Sequence, residues 1–142
     1  MANIYITHNQ EETREIGHKL ADLLPNGSVV LLKGDLGAGK TTLVRGVAEA
    51  LGISEKITSP TFNIMKIYLK GKKPLVHIDA YRLEDHNVDI GLDEFIGIDR
   101  GLTFIEWPDY IKNLIPDNAI VITIKNIGND QREISLEGVL LW

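Results

Sequence analysis

Apolar positions along the chain alternate between two periods. Asn3-Ile4-Tyr5-Ile6 alternates as a short strand does. Ile16, Leu20, Leu23 and Leu24 then recur at helical spacing, with Thr7 or Asn9 as the cap and Glu11, Glu12 and Glu15 near the positive end. Pro25-Asn26-Gly27 stops this helix and turns the chain into Val29-Val30-Leu31-Leu32, an apolar run that reads as a buried strand. Leu43, Val47, Ala50 and Leu51 mark a second helix, closed by Gly52. Phe62 to Leu69 and Leu75-Val76-His77-Ile78 are strands separated by Lys70-Gly71-Lys72-Lys73, a connection short enough for an antiparallel hairpin. Leu102 to Ile105 is a further buried strand, and Asp109 to Leu114 a short helix before Pro116. Ile120 to Ile124 and Arg132 to Leu136 are the last strands, joined through Gly128-Asn129-Asp130. The least regular stretch, Ala80 to Arg100, holds one short helix at Leu92 to Ile96. It carries Glu84, Asp85, Asp89, Asp93, Glu94 and Asp99, a solvated acidic face or a docking surface.

Composition narrows this little. The 142 residues suit one domain, 1–142, and 44% apolar with 25% charged residues is ordinary for a soluble globular protein. The absence of cysteine excludes a disulfide framework and any cysteine-based metal site or nucleophile, and fits a reducing compartment. No apolar run approaches the roughly 18 residues of a membrane span, and the start lacks the character of a signal peptide. A net charge of −5 argues against broad nucleic-acid binding.

The chemistry concentrates between the buried strand and the second helix. Gly34-Asp35-Leu36-Gly37-Ala38-Gly39-Lys40-Thr41 matches G-x-x-x-x-G-K-[ST] at every defined position and lies in the strand–loop–helix context the motif requires. Glycines let backbone N–H groups approach phosphate oxygens, and the helix adds its positive end. Lys40 can reach the β- and γ-phosphates, and the Thr41 hydroxyl can ligate Mg²⁺, with Thr42 following in the first turn. Two acids, Asp79 and Glu106, end apolar strands, where the carboxyl edge of a parallel sheet places functional groups. Either could hold Mg²⁺ directly or through water, or could cap a helix or pair with Arg82. Thr61, in a proline-bearing loop, is a γ-phosphate sensor or a turn-former. His77 reads as a satisfied, partly buried histidine rather than a base, and Trp107 as core packing or an exposed anchor. The guanine-selecting N-K-x-D and the D-x-x-G switch are both absent, which favours ATP.

Taken together, Gly34 to Thr42, Ser59-Pro60-Thr61-Phe62, His77-Ile78-Asp79-Ala80-Tyr81-Arg82-Leu83 and Ile105-Glu106-Trp107-Pro108 resemble the TsaE (YjeE) family of bacterial P-loop ATPases. That family serves the making of threonylcarbamoyladenosine in tRNA. The resemblance implies a P-loop NTPase-like three-layer α/β fold, with a mixed, mainly parallel central sheet and an antiparallel hairpin. It implies a cytoplasmic, Mg-dependent ATPase, weak alone, that does not itself perform the threonylcarbamoyl transfer. ATP and Mg²⁺ are the cofactors, with Lys40 and the loop on the phosphates and Thr41 and Glu106 on the metal. Thr61 becomes a switch near the γ-phosphate, Asp79 an acid needed for turnover, and Gln10 and Arg132 the positions offered to adenine. The implied partners are TsaB and TsaD, whose complex the ATPase resets or regulates, without stable tRNA binding of its own and without a membrane. A P-loop kinase of a small molecule and a non-catalytic nucleotide sensor are the alternatives; scattered arginines give no obvious kinase lid.

Overall fold

The computed structural model describes residues 3–35, 37–58, 64–81 and 92–139. Seven strands, β1 (Asn3–Thr7), β2 (Val29–Lys33), β3 (Met65–Tyr68), β4 (Leu75–Asp79), β5 (Leu102–Glu106), β6 (Ile120–Gly128) and β7 (Gln131–Glu137), form one sheet. The helices are α1 (Gln10–Leu23) and α2 (Lys40–Ala50), with short 3₁₀ segments at Leu92–Glu94 and Pro108–Leu114. The strand order is β1-β7-β6-β2-β5-β4-β3. The middle strands β6, β2, β5 and β4 are parallel, and antiparallel strands flank them on both sides. This is a mixed α/β fold with a mainly parallel centre, as expected from the sequence, and the hairpin anticipated for β3–β4 is present. A second hairpin joins β6 to β7 through Asn129 and Asp130, both in the left-handed region that asparagine and aspartate tolerate.

Burial on both faces explains the unbroken apolar strands. Val30, Leu32 and Phe104 face α1 and α2, where they meet Leu20, Leu43 and Val47. Val29, Leu31, Val76, Ile78 and Ile105 face the other way. That second face is covered, among the described residues, by the 3₁₀ segments through Leu92 and Ile111 rather than by long helices, so the third layer is thin. β6, which borders the antiparallel β7, alternates instead, with Ile120, Ile122 and Ile124 buried on the helix side. In β1 the alternation runs against hydrophobicity. Ile4 and Ile6 are 59% and 43% exposed, whereas Tyr5 packs inward and Thr7 is buried against Thr13 of α1, their hydroxyl oxygens 2.8 Å apart. Pairing of Tyr5 with Ile134 sets that register, and in a strand one register sets every side chain's face. Asn9, not Thr7, caps α1, its Oδ1 accepting from the Glu12 N–H.

The two helices cross backbone to backbone. A Cβ at Gly46 would press into the backbone of Arg14, and one at Gly17 into the backbone of Leu43 and Val47, so both positions demand glycine sterically. Gly46→Ala gains about 1 kcal/mol of helix propensity but forces apart the layer that carries the phosphate-loop helix. The expected net result is a loss of about 1–3 kcal/mol and a melting temperature lower by several degrees. A thermal melt checks it; a variant melting at or above the parent would contradict this close crossing.

Candidate functional site

Every parallel strand of the centre delivers its carboxyl end to the same edge, and the site is built there. β2 ends at Lys33, and the chain passes through the glycine loop into α2. Gly34 has φ +154°, and a Cβ there would lie 2.5 Å from the Ile124 carbonyl oxygen, so only glycine lets the loop turn this tightly beside β6. Gly39 occupies the N-cap of α2 in the left-handed region with no side-chain cap, and no acid lies in the first turn. The first N–H groups of α2 are therefore not met by any capping side chain or first-turn carboxylate of the helix. An uncapped helix start beside a lysine is suited to an anion.

Lys40 is 6% exposed and its ammonium is triply engaged. Nζ donates to the Gly34 carbonyl at 2.7 Å, lies 3.6 Å from Glu106 Oε1, and sits 4.8 Å from the centroid of the Trp107 ring. Burial of a charge is tolerated here because a carboxylate, a carbonyl and a ring face all meet it. Glu106 is 4% and Asp79 3% exposed. Parallel pairing sets Asp79 opposite Glu106 in the β4–β5 register, which brings the two acids side by side at the strand ends. They are held differently. Glu106 Oε2 lies 2.7 Å from Nε2 of the buried His77, whereas Asp79 Oδ1 accepts the Tyr81 N–H at 3.0 Å. The Ala80 N–H donates to the Glu106 carbonyl at 3.0 Å and ties the two strand ends together.

A cleft of about 870 Å³ opens over these groups. Gly37, Gly39, Lys40, Thr41 and Thr42 form its floor, and Asp79, Glu106 and Trp107 one wall. Gln10 and Arg132, the two positions offered to adenine, both line it, joined by Asn9, Thr13, Tyr81 and Asp130. Gly34, Asp35 and Ala38 instead line a smaller cavity on the β6 side of the loop, with Thr123 to Asn126. Arg132 is more than a pocket wall: Nε donates to the Ala38 carbonyl at 2.9 Å and Nη1 to Asn126 Oδ1 at 3.2 Å, so β7 braces the phosphate loop. In the first turn of α1 the Glu12 carboxyl is held below the usual glutamate range, chiefly by its side-chain bond to His8 Nδ1 at 2.8 Å and then by the His8 backbone N–H. Leu36, Thr61, Arg82 and the acidic positions Glu84, Asp85 and Asp89 lie outside the described residues.

Two side chains gain a definite place that periodicity could not supply. Trp107 is half-buried, takes left-handed backbone angles (φ 57°) and stands over Lys40. It stacks on Tyr110 with centroids 6.3 Å apart and tilts against Tyr81 at 5.0 Å, an aromatic wall rather than an isolated anchor. A non-glycine residue with positive φ costs about 1–3 kcal/mol, and such strain gathers at functional sites. His77 is fully buried rather than partly so, and among the described residues only its Nε2 has a hydrogen-bond partner. Its sole sequence signal was a polar residue in the middle of an apolar strand.

A glycine loop between a buried parallel strand and an uncapped helix, its lysine paired with a strand-end acid, defines a P-loop-type α/β protein. Comparison with known proteins narrows the class. The model of the family described as threonylcarbamoyl adenosine biosynthesis protein TsaE matches residues 7–134. The tRNA threonylcarbamoyladenosine biosynthesis protein TsaE of Bacillus subtilis is 45% identical over 133 residues, spanning 94% of this chain and 84% of the relative. That of Treponema pallidum is 38% identical over 134 residues, 92% of this chain and 97% of the relative. A crystal structure of Bacillus subtilis YdiB superposes with a TM-score of 0.81 at 38% identity, covering 96% of this chain and 84% of that one. The chain belongs to the TsaE family. No helix among the described residues is long and apolar enough to cross a membrane.

Proposed function

We propose that this chain is a cytoplasmic Mg-dependent ATPase, weak alone, that binds Mg–ATP in the cleft above Lys40 and serves the threonylcarbamoyladenosine modification of tRNA. The observation that carries the reading is the convergence of Lys40, Glu106 and Asp79 at the uncapped start of α2. The donor set suits the ligand. Backbone N–H groups and an ammonium fit phosphate, and a hydroxyl with carboxylates, all oxygen donors, fits Mg²⁺. Thr41 and Glu106 are the residues assigned to the metal. When bound, Mg²⁺ supplies charge neutralisation across the phosphate oxygens.

The remaining work falls to this chain's own side chains. Lys40 holds phosphate as a point charge, fixed over the loop by the Gly34 carbonyl. Asp79 is assigned to orient the attacking water, with Oδ1 anchored on the Tyr81 N–H. Trp107 and Tyr81 wall the cleft and limit water around the phosphates. Gln10 and Arg132 flank the end of the cleft given to adenine. Thr61 is kept in this reading as the γ-phosphate switch. The threonylcarbamoyl transfer itself is assigned to TsaD in complex with TsaB, and this chain to resetting or regulating that complex. The net charge of −5 supports a role through protein partners instead of a direct grip on tRNA.

The test is size-exclusion chromatography of the chain with TsaB and TsaD, under ATP, ADP and no nucleotide, with ATP turnover measured in parallel. Nucleotide-dependent co-elution and a turnover changed by the partners are expected. Equal turnover with and without them, and no co-elution in any nucleotide state, would sink the partner-dependent reading. A phosphorylated small-molecule acceptor would replace it with the kinase alternative.

A further inference from the structure

Among the described residues, the buried ring of His77 touches the site without a role in the proposed reaction. His77 lies two residues before Asp79 on β4 and has no exposed surface. Its register partner on β5 is Phe104, two residues before Glu106, so both pairs face the helix side of the sheet. His77 Nε2 is 2.7 Å from Glu106 Oε2. An ionised carboxylate only accepts, so this bond places the ring proton on Nε2. His77 Nδ1 has no hydrogen-bond partner among the described residues. A histidine kept for the stability of the core would be expected to satisfy both nitrogens or to give way to an apolar residue. This one leaves one nitrogen bare in an apolar layer and directs the other at a single carboxylate oxygen.

The effect on Glu106 is specific. A glutamate has several rotatable bonds and settles in one geometry only when something holds it. Oε2 is tied back to His77, and Oε1 is left on the side of Lys40 and the cleft, 3.6 Å from Nζ. We propose that His77 is a positioning residue: its Nε2–H locks the Glu106 carboxylate with Oε1 presented to the divalent cation of the bound nucleotide. The inference rests on the assignment of Glu106 to Mg²⁺. The arrangement is the carboxylate-ligand counterpart of an outer hydrogen bond that orients a metal ligand, a kind of contact whose loss costs about 10–100-fold in metal affinity.

The experiment measures binding of a fluorescent ADP to the full chain, once with Mg²⁺ titrated in and once in excess chelator, for the parent, His77→Phe, His77→Gln and Glu106→Gln. Phenylalanine keeps the ring without a donor, and glutamine returns an N–H close to the place of Nε2. For His77→Phe the Mg²⁺ concentration at half-effect is expected to rise about tenfold or more, with chelator-state ADP affinity unchanged within about twofold. His77→Gln is expected to restore most of the difference. An unchanged Mg²⁺ requirement in His77→Phe, an equal loss in chelator, or a folded His77→Gln that behaves like His77→Phe would each overturn the proposal. Glu106→Gln separates the two levels. If it raises the Mg²⁺ requirement while His77→Phe does not, the positioning role alone fails; if it leaves the requirement unchanged, the metal assignment fails and the positioning role with it. Should His77→Phe not fold, nitrogen-edited NMR of the parent imidazole decides. A slowly exchanging Nε2–H is expected, and a ring protonated on Nδ1 alone refutes the inference.

Discussion

Lys40→Ala is expected to weaken ATP and ADP binding by at least about 30-fold, measured by calorimetry or a fluorescent analogue. The lysine is held ready for an anion by the Gly34 carbonyl, Glu106 and the face of Trp107. A charge-assisted hydrogen bond contributes about 1.5–3 kcal/mol, and each 1.4 kcal/mol is tenfold in affinity, so losing one or two such bonds accounts for the factor. The substitution has a second consequence. Glu106 is 4% exposed and would keep its carboxylate buried with no cation beside it among the described residues. Breaking a buried pair on one side costs about 3–5 kcal/mol, so the variant is also expected to melt well below the parent. Nucleotide affinity within about threefold of the parent would remove Lys40 from the phosphate site.

The second large effect belongs to Glu106, and two substitutions divide it. Glu106→Gln keeps the size and an acceptor for the His77 Nε2–H but removes the negative charge. On the Mg–ATP reading, turnover is expected to fall by about 100-fold or more, the scale seen when one electrostatic contact to a transition state is removed. Chelator-state nucleotide binding should persist, because Lys40 and the loop remain. Glu106→Ala removes the acceptor as well, and leaves Lys40 and His77 without their carboxylate in a layer that is nearly dry. It should lose both turnover and several kcal/mol of stability. A steady-state ATPase assay and thermal melts separate the outcomes. Turnover by Glu106→Gln equal to that of the parent would remove Glu106 from the metal site of the reaction.

Much of the site was legible because its chemistry is local. G-x-x-x-x-G-K-T specifies a turn that needs positive φ and a helix starting at the lysine, and both are present at Gly39 and Lys40. Acids closing apolar runs pointed to Asp79 and Glu106, and both stand buried in the cleft wall. Gln10 and Arg132 line the same cleft although 122 positions separate them in the numbering, a proximity suggested by family resemblance alone. Contacts of long sequence separation were not legible. The bond of Arg132 to Ala38 spans 94 positions and that of His77 to Glu106 spans 29, and neither leaves a periodic trace. The face of β1 was also hidden, because pairing with β7 overrode the preference of Ile4 and Ile6 for the core.

Short-range physics in the chain therefore settled the phosphate loop, the helix that follows it and the run of doubly buried strands, since each depends on residues a few positions apart. It left Asp79 and Glu106 equivalent, two acids at two strand ends. Strand order distinguishes them. β5 lies between β2 and β4, so Glu106 comes beside Lys40 while Asp79, one strand further out, is held on the Tyr81 N–H. That order reflects burial summed over the whole sheet, which no local stretch of sequence encodes.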